Sequence, residues 1–254
     1  EKGFALDVEK IEKAVTEKTK AIIINTPNNP TGAVYKKEQL LSLGKLAVKK
    51  EFFVISDEVY EKLVYDGEKH ICTASLSDEI KEWTITINGL SKAYSMTGWR
   101  IGYAAGPEEI IKGMVALQGH TTSNANSIAQ KAGVVALKEA ELDVENMKKE
   151  FNKRRKYLME RLNKMEGINC AEPKGAFYTM PNVKSLFEKE FEGTKLKDSF
   201  GVAEFLLEEA HIAVVPGAAF ESPENIRIAY SNSMENIKEG MDRMEKAINK
   251  LIKN

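Results

Sequence analysis

Three short apolar runs, each ending in a polar residue, constrain the fold of this 254-residue chain more than any other feature. The runs cover residues 21–25, 52–57 and 83–88 and begin about 30 residues apart, which is the spacing of β–α–β units. Continuous apolar runs rich in β-branched residues are typical of strands buried on both faces of a parallel sheet. Between the first two runs, Leu40, Leu43 and Ala47 have the spacing of an amphipathic crossover helix over 37–50. The pattern predicts an α/β fold, with a mostly parallel sheet and helices on both faces.

The rest of the chain indicates a second domain. The run at 100–105 follows the third strand too closely for a helical crossover, so it is predicted to be an antiparallel neighbour. A long amphipathic helix is expected over 143–166, where Gly167 would end it. Short strand candidates follow at 175–180, 212–215 and 226–230, and a helix over 234–253 closes the chain. We therefore predict a sheet domain over 1–145 and a smaller C-terminal α+β domain over 146–254.

Composition excludes several classes of protein. Lys and Arg number 37 against 38 Asp and Glu, so there is no overall basic field to attract nucleic acid. No apolar run approaches the about 18 residues of a membrane-spanning helix. Cys72 and Cys170 lie in unrelated contexts and are interpreted as reduced thiols of a cytoplasmic protein. No metal site is expected, because His70, His120 and His211 lack ligand spacing.

Polar residues follow each predicted strand, at the point where parallel α/β sheets bind their ligands. The first run leads into "NTPNNPTG", the second ends in "SDEVY", and the third leads to "NGLSKAYSMTGWRIGY". If the strands are neighbours, Asn29, Asp57, Tyr60 and Lys92 share one edge of the sheet. Simpler local explanations exist for each motif: a turn at Asn29, a helix N-cap around Asp57, a surface lysine at Lys92. All three would have to hold together at corresponding strand ends.

These motifs, with "PKGAFY" and "NIRIAY", resemble the motif series of the class I/II aminotransferases, which are pyridoxal-phosphate enzymes of fold type I. The order and spacing match over essentially the whole chain. The resemblance implies pyridoxal 5'-phosphate as cofactor, and an amino-acid and a 2-oxo-acid as substrates. It also implies a homodimer, because active sites of the family lie at a dimer interface.

The resemblance assigns a role to each matched position. Lys92 would bind the cofactor's aldehyde and then move the proton between the substrate's Cα and the cofactor. Asp57 would hold a proton on the pyridine nitrogen, and Asn29 and Tyr60 would hydrogen-bond the ring hydroxyl oxygen. Arg100 would bind the cofactor phosphate, for which a guanidinium fork is suited.

The substrate is expected to meet a second arginine. Arg227 would hold the α-carboxylate of the amino acid, with Asn29 beside it. Phe177 could line the substrate pocket or belong to the core. Gly89 stands where many relatives have a phosphate-binding serine, so that contact is not expected here.

Family members are longer than this chain, and the resemblance therefore leads us to expect a fragment of an aminotransferase. The expected reaction exchanges an amino group between an L-amino acid and a 2-oxo acid such as 2-oxoglutarate. Aspartate or a broad range of amino acids is favoured as substrate, although the stretch 118–126 lacks the arginine with which some relatives read a distal carboxylate. Three alternatives remain open: a pyridoxal-phosphate-dependent C–S lyase, the aminotransferase-like effector domain of a transcription regulator, and an inert fragment with no activity of its own.

Overall fold

The chain divides into two compact units. The structure, a computed structural model, describes residues 4–253. The first unit holds the described residues up to Asn28 together with Ala33–Lys148, and the second holds Asn29–Gly32 and the described residues from Lys149 onward. The predicted domains, 1–145 and 146–254, do not anticipate that a segment as short as Asn29–Gly32 lies in the second unit. Residues 1–3 of the first predicted domain and Asn254 of the second lie outside the described residues.

The first unit contains a mixed sheet with strands in the order β1-β2-β3-β4. The first three strands are parallel and the fourth is antiparallel to its neighbour. The strands are β1 (Ala21–Asn25), β2 (Phe53–Asp57), β3 (Thr84–Gly89) and β4 (Gly102–Ala105). The helices are α1 (Val8–Ala14), α2 (Lys37–Lys50), α3 (Asp78–Glu82), α4 (Glu108–Thr121) and α5 (Ser127–Glu139), while α6 (Glu141–Leu162) begins in this unit and ends in the second.

The register of the parallel strands brings their polar ends together. Asn25 pairs with Asp57, and Asp57 pairs with Ile87 of β3. Below this edge, Leu40 and Leu43 of α2 are fully buried in the core cluster that also contains Val54 and Ile24. The predicted α/β class with a mostly parallel sheet is confirmed, and so is the antiparallel fourth strand.

The apolar runs predict strands buried on both faces, and for β1 this is wrong. Ile24 is buried in the core and Ile22 packs against it, whereas Ile23 is 73% exposed. Side chains of a strand alternate between two faces, so one face of β1 meets the core cluster and the other stays open among the described residues. The apolar side chains on this open face explain why the run resembles a strand buried on both sides.

The second unit combines helices with short antiparallel strands. Its strands are β5 (Tyr178–Thr179), β6 (Glu190–Phe191), β7 (Thr194–Lys195), β8 (Val215–Pro216) and β9 (Ile226–Ala229). Of these, β9 lies between β5 and β8, and β6 pairs with β7. Helices α7 (Ser199–Ala210) and α8 (Met234–Lys253) complete the unit. Met241, Met244, Ile248 and Leu251 form the buried stripe of α8, which begins and ends where the sequence predicts.

Four predicted elements of the chain have other bounds in the structure. The strand expected over 212–215 lies at Val215–Pro216, and the strand expected over 226–230 ends at Ala229. The strand expected over 175–180 is reduced to Tyr178–Thr179, because Ala176 adopts a left-handed backbone with φ of 56° that interrupts extended chain. Helix α6 ends at Leu162, and the chain continues to Gly167 through turns such as Met165 N–H to Leu162 C=O. Among residues 4–253, no helix has the length and apolar character needed to cross a membrane.

Candidate active site

Three of the predicted site residues lie together at the carboxyl end of the sheet in the first unit. Asp57 is the last residue of β2, Tyr60 lies in the turn that follows, and Lys92 lies in the turn after the neighbouring strand β3. The ammonium nitrogen of Lys92 lies 5.9 Å from the centroid of the Tyr60 ring, close enough for a cation–π contact. The charge of Lys92 also acts on the carboxyl of Asp57. A carboxylate, an amine and a phenol therefore meet at one edge.

Burial and hydrogen bonding have opposite effects on the pKa of the Asp57 carboxyl. Its Oδ1 accepts a hydrogen bond from the backbone N–H of Val59 at 3.1 Å. Burial raises the pKa of Asp57; the Val59 N–H and the charge of Lys92 lower it, while the neighbouring charge of Glu58 raises it. The pKa of Asp57 is raised overall, so this carboxylate is desolvated and would be stabilised by a further cation or N–H donor.

Buried neighbours hold Lys92 at the sheet edge. Leu90 and Ala93 are 3% and 2% exposed and anchor the chain on both sides of the lysine. Tyr94 N–H and Met96 N–H donate to the carbonyl of Leu90, which closes the turn around Lys92. The lysine itself is half-buried, between two fully buried neighbours. The surface-lysine interpretation does not account for this anchoring.

Arg100 lies on an exposed loop before β4. Its backbone is left-handed with φ of 52°, and its Nη1 donates to the carbonyl of Thr97 at 3.0 Å. It also lines a cavity of about 1310 Å³ between β4, α4 and α5. Asp57, Tyr60 and Lys92 do not line this cavity in the described structure. The structure therefore places Arg100 in the same unit as these residues.

The second unit holds the other two predicted site residues. The guanidinium Nη1 of Arg227, on β9, donates to the side-chain oxygen of Asn29 at 3.0 Å. The same guanidinium lies 4.7 Å from the ring centroid of Tyr178 and 5.1 Å from that of Phe220. Its buried Nε has no hydrogen-bond partner among residues 4–253. An arginine that is oriented by two rings and has an unsatisfied buried N–H is suited to bind a carboxylate.

Close packing in the second unit fixes the short segment Asn29–Gly32. The carbonyl of Gly32 accepts hydrogen bonds from the backbone N–H groups of Lys174 and Gly175, each at 2.8 Å. A Cβ on Gly32 would lie 2.2 Å from Cβ of Pro173, and its φ is +71°. Glycine is therefore required at position 32. The motifs "NTPNNPTG" and "PKGAFY", far apart in sequence, meet here.

The structure decides between the local alternatives for Asn29 and Asp57. Residues 29–31 do form a turn, which is compatible with the role predicted for Asn29. No helix begins at Asp57 within the described segment 58–63, which instead forms turns with Glu61 N–H bonded to Glu58 C=O, so the N-cap interpretation is wrong. Phe177 is buried against Phe151, at 5.4 Å between ring centroids, as a core residue would be.

Sequence reasoning missed the two rings that hold Arg227. Tyr178 is the last letter of "PKGAFY", a motif in which the preceding aromatic, Phe177, is the more obvious candidate. Phe177 lies just before β5 and packs against Phe151, whereas the ring of Tyr178, the first residue of β5, lies 4.7 Å from the guanidinium of Arg227. Phe220 lies outside the motifs that carry the resemblance, and its seven-residue separation from Arg227 gives no signal.

Each unit therefore holds its own group of candidate residues: an amine beside a desolvated carboxylate in the first unit, and an oriented guanidinium in the second. Comparison with known proteins agrees with this chemistry. The family model described as aminotransferase class I and II matches residues 1–244. The chain belongs to this family, whose members use pyridoxal 5'-phosphate.

Named relatives show how far the similarity extends. The chain is 45% identical over 250 residues to an aspartate aminotransferase of Bacillus subtilis, covering 98% of this chain and 63% of that protein. It is 43% identical to aromatic-amino-acid aminotransferase 2 of Thermococcus litoralis, covering 98% and 62%. The solved structure of an aspartate aminotransferase from Rhizobium meliloti matches with a TM-score of 0.95 at 39% identity, covering 98% and 63%. The chain thus spans a little over three fifths of these relatives' length.

The residues of the first unit fit the cofactor of this family. The half-buried amine of Lys92 suits an aldehyde, and the desolvated carboxylate of Asp57 suits a protonated ring nitrogen, which would compensate for its burial. Gly89, the last residue of β3, supplies no side-chain hydroxyl at this edge. A Cβ at that position would meet the carbonyl of Ile101 at 3.3 Å, because β3 and β4 approach closely.

Proposed function

We propose that this chain carries the catalytic core of a pyridoxal-phosphate-dependent aminotransferase, which moves an amino group between an L-amino acid and a 2-oxo acid such as 2-oxoglutarate. The observation that carries the proposal is the arrangement of Asp57 and Lys92 at the ends of adjacent parallel strands, where the lysine's charge acts on the carboxylate. When bound, the cofactor supplies an electron sink that acidifies the substrate's Cα–H and carries the amino group.

Each site residue of the first unit would have its own role toward the cofactor. Lys92 would hold the cofactor at its aldehyde carbon and, once displaced by the substrate's amine, move the proton from Cα. Asp57 would keep the proton on the ring nitrogen, since its carboxylate gains most from a nearby positive charge. Tyr60, which is 3% exposed and lies beside Lys92, would donate to the ring hydroxyl oxygen. Arg100 would bind the phosphate through the part of its guanidinium fork that does not contact Thr97.

Arg227 and Asn29 would bind the carboxylate that all amino acids and 2-oxo acids share. The unsatisfied Nε of Arg227 and its neighbouring Nη group supply two parallel N–H donors. The rings of Tyr178 and Phe220 hold the plane of the guanidinium in place. The names of the relatives include aspartate and aromatic amino-acid aminotransferases, and we favour aspartate or a broad substrate range.

We further propose that the protein functions as a homodimer in the cytoplasm. Apolar side chains on α4 and α5, including Val115, Leu117 and Val135, are 52–67% exposed, which supports an interface on the first unit. Cys72 and Cys170 are both unpaired thiols, as expected in a reducing compartment.

A transamination assay tests the proposed activity. The chain is incubated with pyridoxal phosphate, 2-oxoglutarate and single amino acids, including aspartate, alanine and tyrosine, and glutamate formation is measured. Glutamate that depends on an amino-acid donor, and that disappears in the Lys92→Ala variant, is the expected result. Pyruvate and ammonia released from a cystathionine-like substrate without an oxo-acid acceptor would instead identify a C–S lyase. Saturable cofactor binding without turnover of any donor would favour the effector-domain alternative.

A further inference from the structure

A buried hydrogen-bond network lies on the face of β2 opposite Asp57. Successive residues of a strand point to opposite faces, so Ser56 and Glu58 point one way and Asp57 the other. Ser56 and Glu58 are 0% and 1% exposed, whereas Asp57 is half-buried. The backbone N–H of Glu58 still donates to the carbonyl of Ile87, so the strand geometry extends to this residue.

Hydrogen bonds from three residues hold the Glu58 carboxylate inward. Its Oε1 accepts from the hydroxyl of Ser56 at 2.9 Å and from the backbone N–H of Thr73 at 3.1 Å. Its Oε2 lies 2.8 Å from Nε2 of His70, whose side chain is 10% exposed. A buried carboxylate is tolerated only with such donors, and a network that satisfies both oxygens has one stable arrangement.

The network could also be considered as a metal site. Glu58, Glu61 and His70 can each place one ligand atom within 4.8 Å of the others. A metal ion would have to displace hydrogen bonds that already satisfy both oxygens of Glu58. The contacts therefore favour a hydrogen-bond network that fixes Glu58 over a metal centre.

We propose that His70 and Glu58 are positioning residues for Asp57. By fixing Glu58 into the core at the end of β2, His70 prevents rotation of the strand end and directs the Asp57 carboxylate to the opposite face. The inference rests on the proposed role of Asp57 as the partner of the cofactor's ring nitrogen.

The electrostatics of the two carboxyls are consistent with this arrangement. Burial alone would raise the pKa of Glu58, but hydrogen bonding and charge from His70, with the donors Ser56 and Thr73, lower it overall. Glu58 is thus a fixed negative charge beside Asp57, whose other electrostatic neighbours are Lys92 and the Val59 N–H.

The first test uses the cofactor-free chain and does not depend on activity. The carboxyl titration of Asp57 is followed by carbon-13 NMR and assigned through its loss in Asp57→Asn. In His70→Leu the pKa of Asp57 should fall toward that of an ordinary carboxyl, because the side chain is no longer held in its buried position. His70→Gln, which keeps a donor for Glu58, and the exposed control His120→Leu should keep the parent value, with folding checked by circular dichroism. An unchanged titration in folded His70→Leu would overturn the proposal.

The second test asks whether His70 acts through Asp57. Dissociation constants for pyridoxal phosphate are measured for His70→Leu with and without Asp57→Asn. We expect at least about a tenfold weakening when Asp57 is intact, by analogy with other small displacements at active sites, and no further loss when Asp57→Asn is already present. Equal losses in both backgrounds would show a general structural effect and refute the proposal. If the parent chain does not bind pyridoxal phosphate, the proposed function fails, and the titration still decides the positioning question.

Discussion

Asp57 and Glu58 are neighbours in sequence, yet the structure shifts the pKa values of their carboxyls in opposite directions. Burial, which is the largest effect on both, raises the pKa of Asp57, whereas His70, Ser56 and Thr73 more than offset it for Glu58. A carboxyl with a raised pKa in the folded state binds its proton more tightly there than in the unfolded chain. Its contribution to stability is therefore lost as the pH rises through the folded-state pKa. For Glu58 the contribution is present at neutral pH and is lost as the pH falls.

This difference predicts the stability of Asp57→Asn. The cofactor-free variant should melt at a higher temperature than the parent at pH 7, because the cost of ionising a desolvated carboxyl is removed. The gain should shrink as the pH falls through the folded-state pKa and vanish well below about pH 4, where the carboxyl is protonated in both states. Thermal unfolding by circular dichroism at both pH values measures the effect, with the exposed residue change Glu166→Gln as control. A lower melting temperature for Asp57→Asn at pH 7 would contradict the account.

Arg227 carries a prediction for the substrate. Arg227→Lys keeps the charge but loses the planar fork that Tyr178 and Phe220 orient. Loss of a charge-assisted hydrogen bond of about 1.5–3 kcal/mol should lower kcat/KM for the amino acid by about 10- to 100-fold. Steady-state kinetics measure this change, and Arg243→Lys on the surface of α8 serves as the matched control. Equal kinetics of the two variants would remove Arg227 from the substrate site.

At the scale of elements, the sequence predicts best where local pattern and tertiary packing agree. Strand β1 and helices α2 and α8 have the predicted bounds, and in the two helices the periodic apolar residues coincide with the buried stripe. The short strands of the second unit are harder to predict. A backbone such as that of Ala176, with φ of 56°, is imposed by the fold and has no signal in the residue itself.

The candidate site likewise contains residues that motifs predict and residues that only the tertiary structure brings together. The motifs indicate Asp57, Tyr60 and Lys92, and the register of parallel strands explains why they meet. The residues that support the site, His70 and the two rings around Arg227, could not be predicted from motifs. His70 reaches Glu58 from the chain after β2, across a separation of 12 residues without a motif. The rings around Arg227 likewise depend on strand pairing and side-chain direction rather than on spacing.

Two helical glycines give an element-scale prediction. A Cβ on Gly44, in α2, would lie 2.7 Å from the side chain of Ile80 in α3, whereas one on Gly113, in α4, would meet no described atom within 4 Å. Gly44→Ala should therefore destabilise the chain by about 1–3 kcal/mol through overpacking. Gly113→Ala should stabilise it by about 0.5–1 kcal/mol, which is the helix propensity of alanine over glycine. Urea unfolding measures both, and a stabilised Gly44→Ala variant would show that α2 and α3 are not packed as described.

At the scale of the whole molecule, the apolar surface of the first unit predicts association. Val115 of α4 and Val135 of α5 are 67% and 52% exposed, and an interface of ordinary size would cover such side chains. The chain should associate reversibly with rising concentration in sedimentation experiments. The double variant Val115→Gln, Val135→Gln should shift it toward monomer, whereas Leu207→Gln, on α7 of the second unit and 54% exposed, should not. A parent that stays monomeric at all concentrations would contradict the proposed homodimer interface.

The central claim is that the chain holds pyridoxal phosphate at Lys92, and covalent trapping tests it most directly. The chain is incubated with the cofactor and reduced with borohydride, and the adduct is located by peptide mass spectrometry. The account predicts one dominant adduct on the peptide that contains Lys92, and its loss in Lys92→Arg. Labelling scattered over surface lysines, or labelling that is unchanged in Lys92→Arg, would contradict it.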